Sequence, residues 1–445
     1  MGWKLKVSGY GKIGYAEIEM APLTLFVGDN NSGKSYLMSL LWGIQNLGME
    51  EILKGEGDEK EELAGWMRKQ MSAVKEHGDC TVSMSEISDM LHSTLDEGLK
   101  RNKNNLAKKI FNSADVKIEE LQIILNDIDK VLITFGITKE DAEEEEWFYI
   151  KSSIREKMKI SFSEEMFFTS NHVIVVALVG LVTGINFFGA NFSGYDIYLP
   201  AARTGFMLTK DIVNKVGRNK AFNIDMEQKE VTPFVRPINQ FLDVINDLIL
   251  DGEGEEKYKK VTAYLENSMA EGIIEMSALP NREVLYVPEG LKSGIPLRIV
   301  SAVVTELSPL ILILKHKKNL GTLFYEEPEM CLHPQLQQKM ARVICQLVNA
   351  DLKMLITTHS DIILQHINNM IRLSVREDAQ ELCSQFGYNT TDMLNAENVR
   401  VYQLKSENGE KTKVEEIVCG KNGFAIPTFN EALDKIMDEA YSIQE

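Results

Sequence analysis

The chain has 445 residues, 44% hydrophobic and 26% charged, so it can bury a large core, and its length predicts two or three domains. Its formal net charge is −18, whereas a protein that wraps nucleic acid over a wide surface carries positive charge, so any DNA or RNA contact has to be local or made by a partner. Five cysteines without CxxC spacing, and no signal peptide before them, predict reduced thiols, no zinc site and a cytoplasmic protein.

Residues 1–47 begin with β-structure. Trp3, Leu5 and Val7 alternate with polar residues, and a second alternating run follows a Gly-Tyr-Gly turn, which predicts an N-terminal antiparallel β portion. A third strand, Leu23 to Val27, leads into a glycine-rich segment. The apolar spacing from Tyr36 to Leu47 then predicts a helix.

Residues 48–190 differ in character, because long charged helical patterns dominate and strands do not alternate with helices. They are predicted to form a large, mainly helical insertion. A basic cluster in this region is interpreted as a solvated helix face, with a phosphate- or partner-binding patch as the alternative. Its members are Lys100, Arg101, Lys103, Lys108 and Lys109. The apolar run Val173–Phe188 is too short for a membrane span and predicts a buried core helix, so no membrane contact is expected.

Residues 191–445 return to strands that alternate with helices. Tyr195 to Leu199 is strand-like, and an amphipathic helix begins at Pro237. The last third alternates clearly, with strands at Leu323–Tyr325 and Met354–Thr357 that are each followed by a helix. That alternation predicts an α/β fold with a parallel sheet and crossover helices.

Gly28 to Ser35 reads Gly-Asp-Asn-Asn-Ser-Gly-Lys-Ser, which matches the phosphate-loop pattern GxxxxGK[ST] between a strand and a helix. The glycines let backbone N–H groups surround the β-phosphate of ATP, and the helix N-terminus adds its positive dipole. Lys34 is expected to reach the β- and γ-phosphates, and Ser35 to bind Mg²⁺. The predicted nucleotide-binding residues are Gly28, Asp29, Asn30, Asn31, Ser32, Gly33, Lys34, Ser35 and Tyr36.

Two carboxylates and a histidine follow neighbouring strands. An apolar strand ends at Glu326 and Glu327, and the next strand ends at His359. Both strand ends are expected at the ligand-binding edge of the sheet. A P-loop enzyme needs one acidic group near Mg²⁺ and another to polarise the attacking water, so Glu326 is assigned to the metal and Glu327 to the general base. His359 is expected to sense the γ-phosphate, positioned by Thr358 or Ser360.

Ser293 and Gly294 precede Pro296 and a strongly apolar helix. A Ser-Gly pair at a helix N-terminus can form a second anion-binding site. Such pairs are common in proteins, so this one gains meaning only from its order among the other motifs.

The motifs, in this order, resemble the ABC-type ATPase head of the overcoming-lysogenisation-defect (OLD) family. They are the phosphate loop, Ser293-Gly294, Glu-Glu-Pro-Glu-Met-Cys-Leu-His-Pro at 326–334 and Thr-Thr-His-Ser at 357–360. Relatives of that family include ATPase subunits of the anti-phage systems Septu, PARIS and some retrons, and the segment from Tyr198 to Gly205 is similar to one found in them. The motifs lie toward both ends of the chain, and the helical middle carries no match.

The resemblance implies an ABC-type P-loop head in three parts. Residues 1–47 are the N-terminal half of the head, residues 48–190 the insertion, and residues 191–445 the C-terminal half. It also implies a head-to-tail homodimer or higher homo-oligomer, in which Ser293 of one copy closes on ATP and Mg²⁺ held by another. His333 either crosses that interface or starts the helix before Pro334.

Two functions remain open. OLD nucleases continue into a Toprim domain, and no acidic triad spaced like a Toprim site is found here, so the favoured function is an ATPase that controls a separate effector, a nuclease or toxin, in anti-phage defence. The alternative is a DNA repair or maintenance ATPase of the RecF kind that binds DNA in the ATP-closed dimer. The acidic balance argues against that alternative, and a transporter ATPase subunit is less favoured still.

Overall fold

The computed structural model describes residues 3–139, 146–154, 158–188, 194–209, 234–248, 252–277, 283–406, 411–426 and 437–443. The chain divides into two units: Met1–Met20 with Ser39–Phe192, and Ala21–Met38 with Ser193–Glu445. The division into residues 1–47, 48–190 and 191–445 stays a prediction.

The elements are numbered along the chain. The strands are β1 (Trp3–Tyr10), β2 (Ile13–Glu19), β3 (Leu23–Gly28), β4 (Cys80–Ser83), β5 (Glu120–Leu125), β6 (Leu132–Lys139), β7 (Glu146–Ser152), β8 (Lys159–Ser163), β9 (Tyr195–Leu199), β10 (Gly272–Met276), β11 (Val284–Pro288), β12 (Ile295–Pro296), β13 (Leu320–Glu326), β14 (Lys353–Thr358), β15 (Val399–Lys405) and β16 (Thr412–Ile417). The α-helices are α1 (Lys34–Ile52), α2 (Asp58–His77), α3 (Ser88–Phe111), α4 (Glu164–Thr169), α5 (Asn171–Thr183), α6 (Arg236–Asn246), α7 (Lys259–Leu265), α8 (Ala302–His316), α9 (Pro334–Asn349), α10 (Asp361–Ser374) and α11 (Ala379–Phe386).

In the first unit, β1 pairs antiparallel with both β2 and β5. Trp3, Leu5 and Val7 are buried, while the lysines between them are half-buried, so the predicted antiparallel β portion is confirmed. A second antiparallel sheet in this unit has the strand order β4-β6-β7-β8.

Residues 48–190 hold the helices α2 to α5 but also the strands β4 to β8, which the sequence analysis did not predict. In β6 and β7 buried residues alternate with more exposed ones, and Ile133, Phe135, Phe148 and Ile150 form the buried side. The segments with this two-residue alternation are short compared with the long charged helices around them. An interpretation based on charge and helical spacing therefore does not detect them.

The apolar run Val173–Phe188 forms helix α5 as far as Thr183, and the residues from Ile174 to Thr183 are all buried. Gly184, at φ 77°, ends the helix in a left-handed conformation. The prediction of a buried core helix is confirmed for this part of the run. No helix within the described ranges has both the length and the hydropathy that crossing a membrane requires.

In the second unit the strands lie in the order β16-β15-β3-β14-β13-β9. β15, β3, β14, β13 and β9 run parallel to one another, and β16 is antiparallel to β15. The predicted α/β class with a parallel sheet is therefore confirmed. The register pairs Thr358 with Val27 and Thr357 with Glu326, so β3, β14 and β13 end at one edge of the sheet.

The core of this unit is built around β3, all of whose residues are buried. Leu23, Leu25 and Val27 belong to the same hydrophobic cluster as the buried faces of α8, α9 and α10. α8 is apolar almost throughout because its residues from Val304 to Leu314 are buried. This packing supports the strand ends from which the candidate site projects.

Candidate functional site

The phosphate loop leaves β3 at Gly28 and enters α1 at Lys34. Gly28 has φ 143°, and a Cβ added there would lie 2.3 Å from the carbonyl oxygen of Leu404. Gly33 has φ 102° and Asn31 has φ 62°. Only glycine tolerates the first two backbone conformations without strain, so the spacing of the two glycines shapes the loop.

Lys34 is 6% exposed and the loop closes around its ammonium group. Nζ donates hydrogen bonds to Gly28 O at 3.0 Å, Asp29 O at 2.8 Å and Ser32 Oγ at 3.4 Å. Burial lowers its pKa to about 8, although nearby carboxylates oppose this change by favouring the charged form. Those carboxylates belong to Glu327, Asp29, Glu329 and Glu326. A phosphate oxygen would give this cation a stronger acceptor than the loop carbonyls.

The remaining loop residues differ in exposure. Ser32 is buried, whereas Asp29, Asn30, Asn31, Ser35 and Tyr36 are exposed. Tyr36 is 39% exposed. Ser35 is therefore accessible from solvent, as a residue that binds an ion must be.

Glu326 is the last residue of β13 and is 6% exposed. Its Oε2 accepts a hydrogen bond from Ala201 N at 3.0 Å, while Oε1 is buried with no hydrogen-bond partner among the described residues. A buried carboxylate oxygen without a donor is costly to keep. A cation such as Mg²⁺ would satisfy it, so the donor set of Glu326 and Ser35 fits this metal, which takes a few protein oxygens and completes its shell with phosphate and water.

Glu327 lies just beyond the strand, at φ 42°. Its N–H donates to Thr357 O at 2.9 Å, which ties it to the end of β14. Its carboxylate is 32% exposed and lies 3.9 Å from His359 Nε2. Glu327 thus presents a partly solvated carboxylate at the same edge as the phosphate loop, as the role of a general base requires.

Glu329 is a site residue that the sequence analysis missed. Its carboxylate accepts hydrogen bonds from His359 N at 2.6 Å and from Thr358 Oγ1 at 2.9 Å. Burial raises the pKa of this carboxyl group, and the hydrogen bonds oppose the change. The sequence signal that could have identified Glu329 was its place as the third carboxylate of the motif Glu-Glu-Pro-Glu.

His359 is therefore held through its backbone by Glu329 rather than through Ser360. Ser360 instead caps α10, accepting from Ile363 N at 3.0 Å, and donates to Gln337 Oε1 at 2.6 Å. Burial lowers the pKa of His359, and the positive charge of Lys34 lowers it further. The imidazole is therefore neutral at neutral pH and can donate one hydrogen bond.

Arg203 lies within the segment from Tyr198 to Gly205, and the sequence analysis gave it no role. Its side chain is fully buried and forms an ion pair with Glu306 of α8. It also donates hydrogen bonds to the carbonyl oxygens of Glu326 and Glu327. A buried arginine next to the acidic strand end is visible only once β9 and β13 are paired.

Ser293 and Gly294 do not stand at a helix N-terminus, so that expectation was wrong. They lie in the loop between β11 and β12, before a short 3₁₀ turn at Leu297–Ile299. The helix begins only at Ala302, where Ser301 Oγ accepts from Val304 N at 3.5 Å. Pro296 precedes the 3₁₀ turn that holds Leu297 and Ile299, so the apolar α-helix begins later than expected, with Val303 and Val304 in its first turn.

His333 is the N-cap residue of α9, and Pro334 occupies the first turn. Its side chain forms no capping hydrogen bond and is exposed. Of the two alternatives for His333, the helix-start position is thus observed, and an exposed side chain leaves the interface role open.

A search of solved structures matches several SMC head domains. An SMC head bound to the C-winged helix domain of ScpA is 14% identical, with 94% of this chain and 98% of that chain covered and a TM-score of 0.39. The SMC head domain from Thermotoga maritima is 12% identical, with coverages of 93% and 98% and a TM-score of 0.33. An SMC head domain with an extended coiled coil, bound to the C-terminal domain of ScpA derived from Pyrococcus furiosus, is 12% identical, with coverages of 99% and 99% and a TM-score of 0.36.

A comparison with curated proteins finds no match. The family model for the AAA ATPase domain matches residues 3–364, which contain the phosphate loop, the acidic strand end and His359. The parallel sheet carries the phosphate loop after β3 and the acidic residues at the end of β13, which is the arrangement of a P-loop ATPase. The chain therefore belongs to the AAA ATPase domain family.

Proposed function

We propose that this protein binds ATP with Mg²⁺ and hydrolyses the ATP at the edge of the sheet where β3, β13 and β14 end. One observation carries the proposal. The buried ammonium of Lys34, enclosed by the phosphate loop, lies close enough to Glu326, Glu327 and Glu329 for their charges to act on its pKa. A cation and carboxylates grouped around a phosphate loop are the groups that phosphoryl transfer to water requires.

The roles follow from the chemistry of each residue. Lys34 neutralises charge on the β- and γ-phosphates, and Ser35 and Glu326 would hold Mg²⁺, which supplies further positive charge there. Glu327 accepts a proton from water as the water oxygen attacks the γ-phosphorus and ADP leaves. Neutral His359 donates a hydrogen bond to the γ-phosphate region.

The finer part of the proposal is the assembly. We infer a head-to-tail dimer in which ATP held by one copy is closed by the other. Ser293 and Gly294 remain candidates for this contact as loop residues. Ser301 joins them, because it is exposed and stands at the N-terminus of the long helix α8.

The proposed output is control of a separate effector, a nuclease or toxin, in anti-phage defence. The resemblance to OLD-like ATPases supports it. The basic cluster on α3 gives little support to DNA clamping, because most of its side chains already contact carboxylates or carbonyl oxygens of the protein. Lys100 bonds Glu97 at 3.1 Å, Lys109 pairs with Glu51, and Lys103 donates to the carbonyl oxygen of Glu119.

Phosphate release by the purified chain tests the central claim. Lys34→Ala should lose ATP binding, and Glu327→Gln should keep binding, lose hydrolysis and accumulate as a closed dimer in the presence of MgATP. Glu381→Gln, an exposed carboxylate change on α11, is the matched control. Full turnover by Glu327→Gln would contradict the assignment of the base, and nuclease activity of the chain alone would contradict the separate effector.

A further inference from the structure

Arg203 touches three successive residues at the acidic end of β13. Its Nη1 donates to Glu326 O and Nη2 donates to Glu327 O at 3.0 Å. Its guanidinium carbon lies 4.7 Å from the centre of the Tyr325 ring. Nη1 also donates to Pro200 O at 2.7 Å, so one side chain links the end of β13 to the loop that follows β9.

Glu306 of α8 holds Arg203 from the other side. Its Oε1 lies 2.5 Å from Arg203 Nη2, and the two side chains are 1% and 0% exposed. Its Oε2 accepts from Thr204 N at 3.1 Å and from Thr204 Oγ1 at 2.7 Å. One carboxylate oxygen of Glu306 therefore forms an ion pair with the guanidinium, and the other accepts hydrogen bonds from Thr204, the next residue of the same loop.

The same loop also holds the side chain of Glu326, through Ala201 N. The backbone is strained both in this loop and just beyond β13, because Ala202 has φ 57° and Glu327 has φ 42°. Non-glycine residues hold such conformations only where the surroundings enforce them. Arg203 donates to the carbonyl oxygen of Glu327, one of these strained residues.

Stability alone does not account for this pair. Burying two charges is expensive, and an apolar pair of similar volume often stabilises a core as well or better. We propose that Arg203 and Glu306 are positioning residues that hold the backbone of Glu326 and Glu327, so that their carboxylates stay directed at the ligand. This inference rests on the proposed function, which assigns roles to those two carboxylates.

The decisive variant is the double substitution Arg203→Met/Glu306→Leu, which leaves no unpaired buried charge. It should fold and bind ATP, with KM within about twofold of the wild type and kcat at least about tenfold lower. Arg203→Lys keeps the charge, but one ammonium cannot span three carbonyls and a carboxylate as a planar fork can, so its kcat should be intermediate.

The matched control is Arg342→Met/Asp392→Leu, which removes another ion pair, 2.9 Å long with its carboxylate fully buried. Its kcat should stay within about twofold of the wild type, because no residue of this pair contacts the acidic strand end. A folded Arg203→Met/Glu306→Leu variant with wild-type kcat would overturn the inference. Failure of that variant and of Arg203→Lys to fold would overturn it too, because the pair would then serve folding.

Amide exchange separates this inference from the proposed function. The N–H of Glu327 donates to Thr357 O, and in the nucleotide-free double variant its exchange should be at least about tenfold faster than in the wild type. A wild-type protein without ATP turnover would refute the proposed function, and the exchange measurement would still test the positioning role. Unchanged exchange at Glu327 would refute that role whatever the turnover.

Discussion

Replacing Lys34 by Met should stabilise the protein in the absence of nucleotide. Lys34 is 6% exposed, and burial lowers its pKa from 10.5 to about 8. That difference corresponds to a cost of about 3 kcal/mol for keeping the charged form in the folded state at neutral pH. Met has a similar length and no charge, so it should remove this cost, at the expense of ATP binding.

The effect should depend on pH with a definite sign. Between about pH 8 and pH 10.5 the unfolded chain still carries the lysine proton that the folded protein has released, so the free energy of unfolding of the wild type rises with pH in this window. The advantage of Lys34→Met should therefore be largest below about pH 8 and disappear near pH 10.5.

Thermal unfolding without nucleotide measures this difference. At pH 7 the variant should melt about 6 °C above the wild type, taking roughly 2 °C for each kcal/mol in a unit of this size. MgATP should raise the Tm of the wild type and leave the variant unchanged. Lys421→Met, an exposed lysine change in the same unit, is the control. A Tm below that of the wild type at pH 7 would refute the reasoning, because the hydrogen bonds of Lys34 would then outweigh the cost of its burial.

Two further substitutions test the supports of the site. Gly28→Ala places a Cβ 2.3 Å from Leu404 O at φ 143°, so urea unfolding should show a loss of about 2–4 kcal/mol, while Gly205→Ala, with open space at its Cβ, should stay within about 0.5 kcal/mol. Equal stability of the two alanine variants would contradict this expectation. Glu329→Ala leaves His359 N and Thr358 Oγ1 without their acceptor and should cost about 1–3 kcal/mol and lower kcat. An unchanged kcat in a folded Glu329→Ala protein would show that His359 does not need this support.

Local motifs in the sequence identified much of the candidate site. The phosphate loop, the carboxylates after β13 and His359 after β14 are each contiguous with a strand whose apolar run is easy to read. Parallel strands that are joined by helices end at one edge, so the meeting of these residues followed from the alternation alone. The buried helix α5 was predictable for the same reason, because its signal lies within one continuous segment.

The sequence did not indicate features that depend on distant partners. β3 lies between β14 and β15, and no local pattern specifies these neighbours. The weak alternation in β6 and β7 becomes a sheet only when the strands pair. α8 begins at Ala302 rather than after Gly294, because Pro296 and the 3₁₀ turn separate the loop from the helix.

The sequence by itself thus determined the class of the fold and the chemistry of the phosphate loop, since both arise from backbone preferences and side-chain types within short segments. Only the tertiary structure decided how the acidic strand end is held. Arg203 and Glu326 are far apart in the chain, and Glu306 lies on a helix between them. Their contacts exist because the packing of β9, β13 and α8 excludes water from one small volume, where charged groups have to satisfy each other.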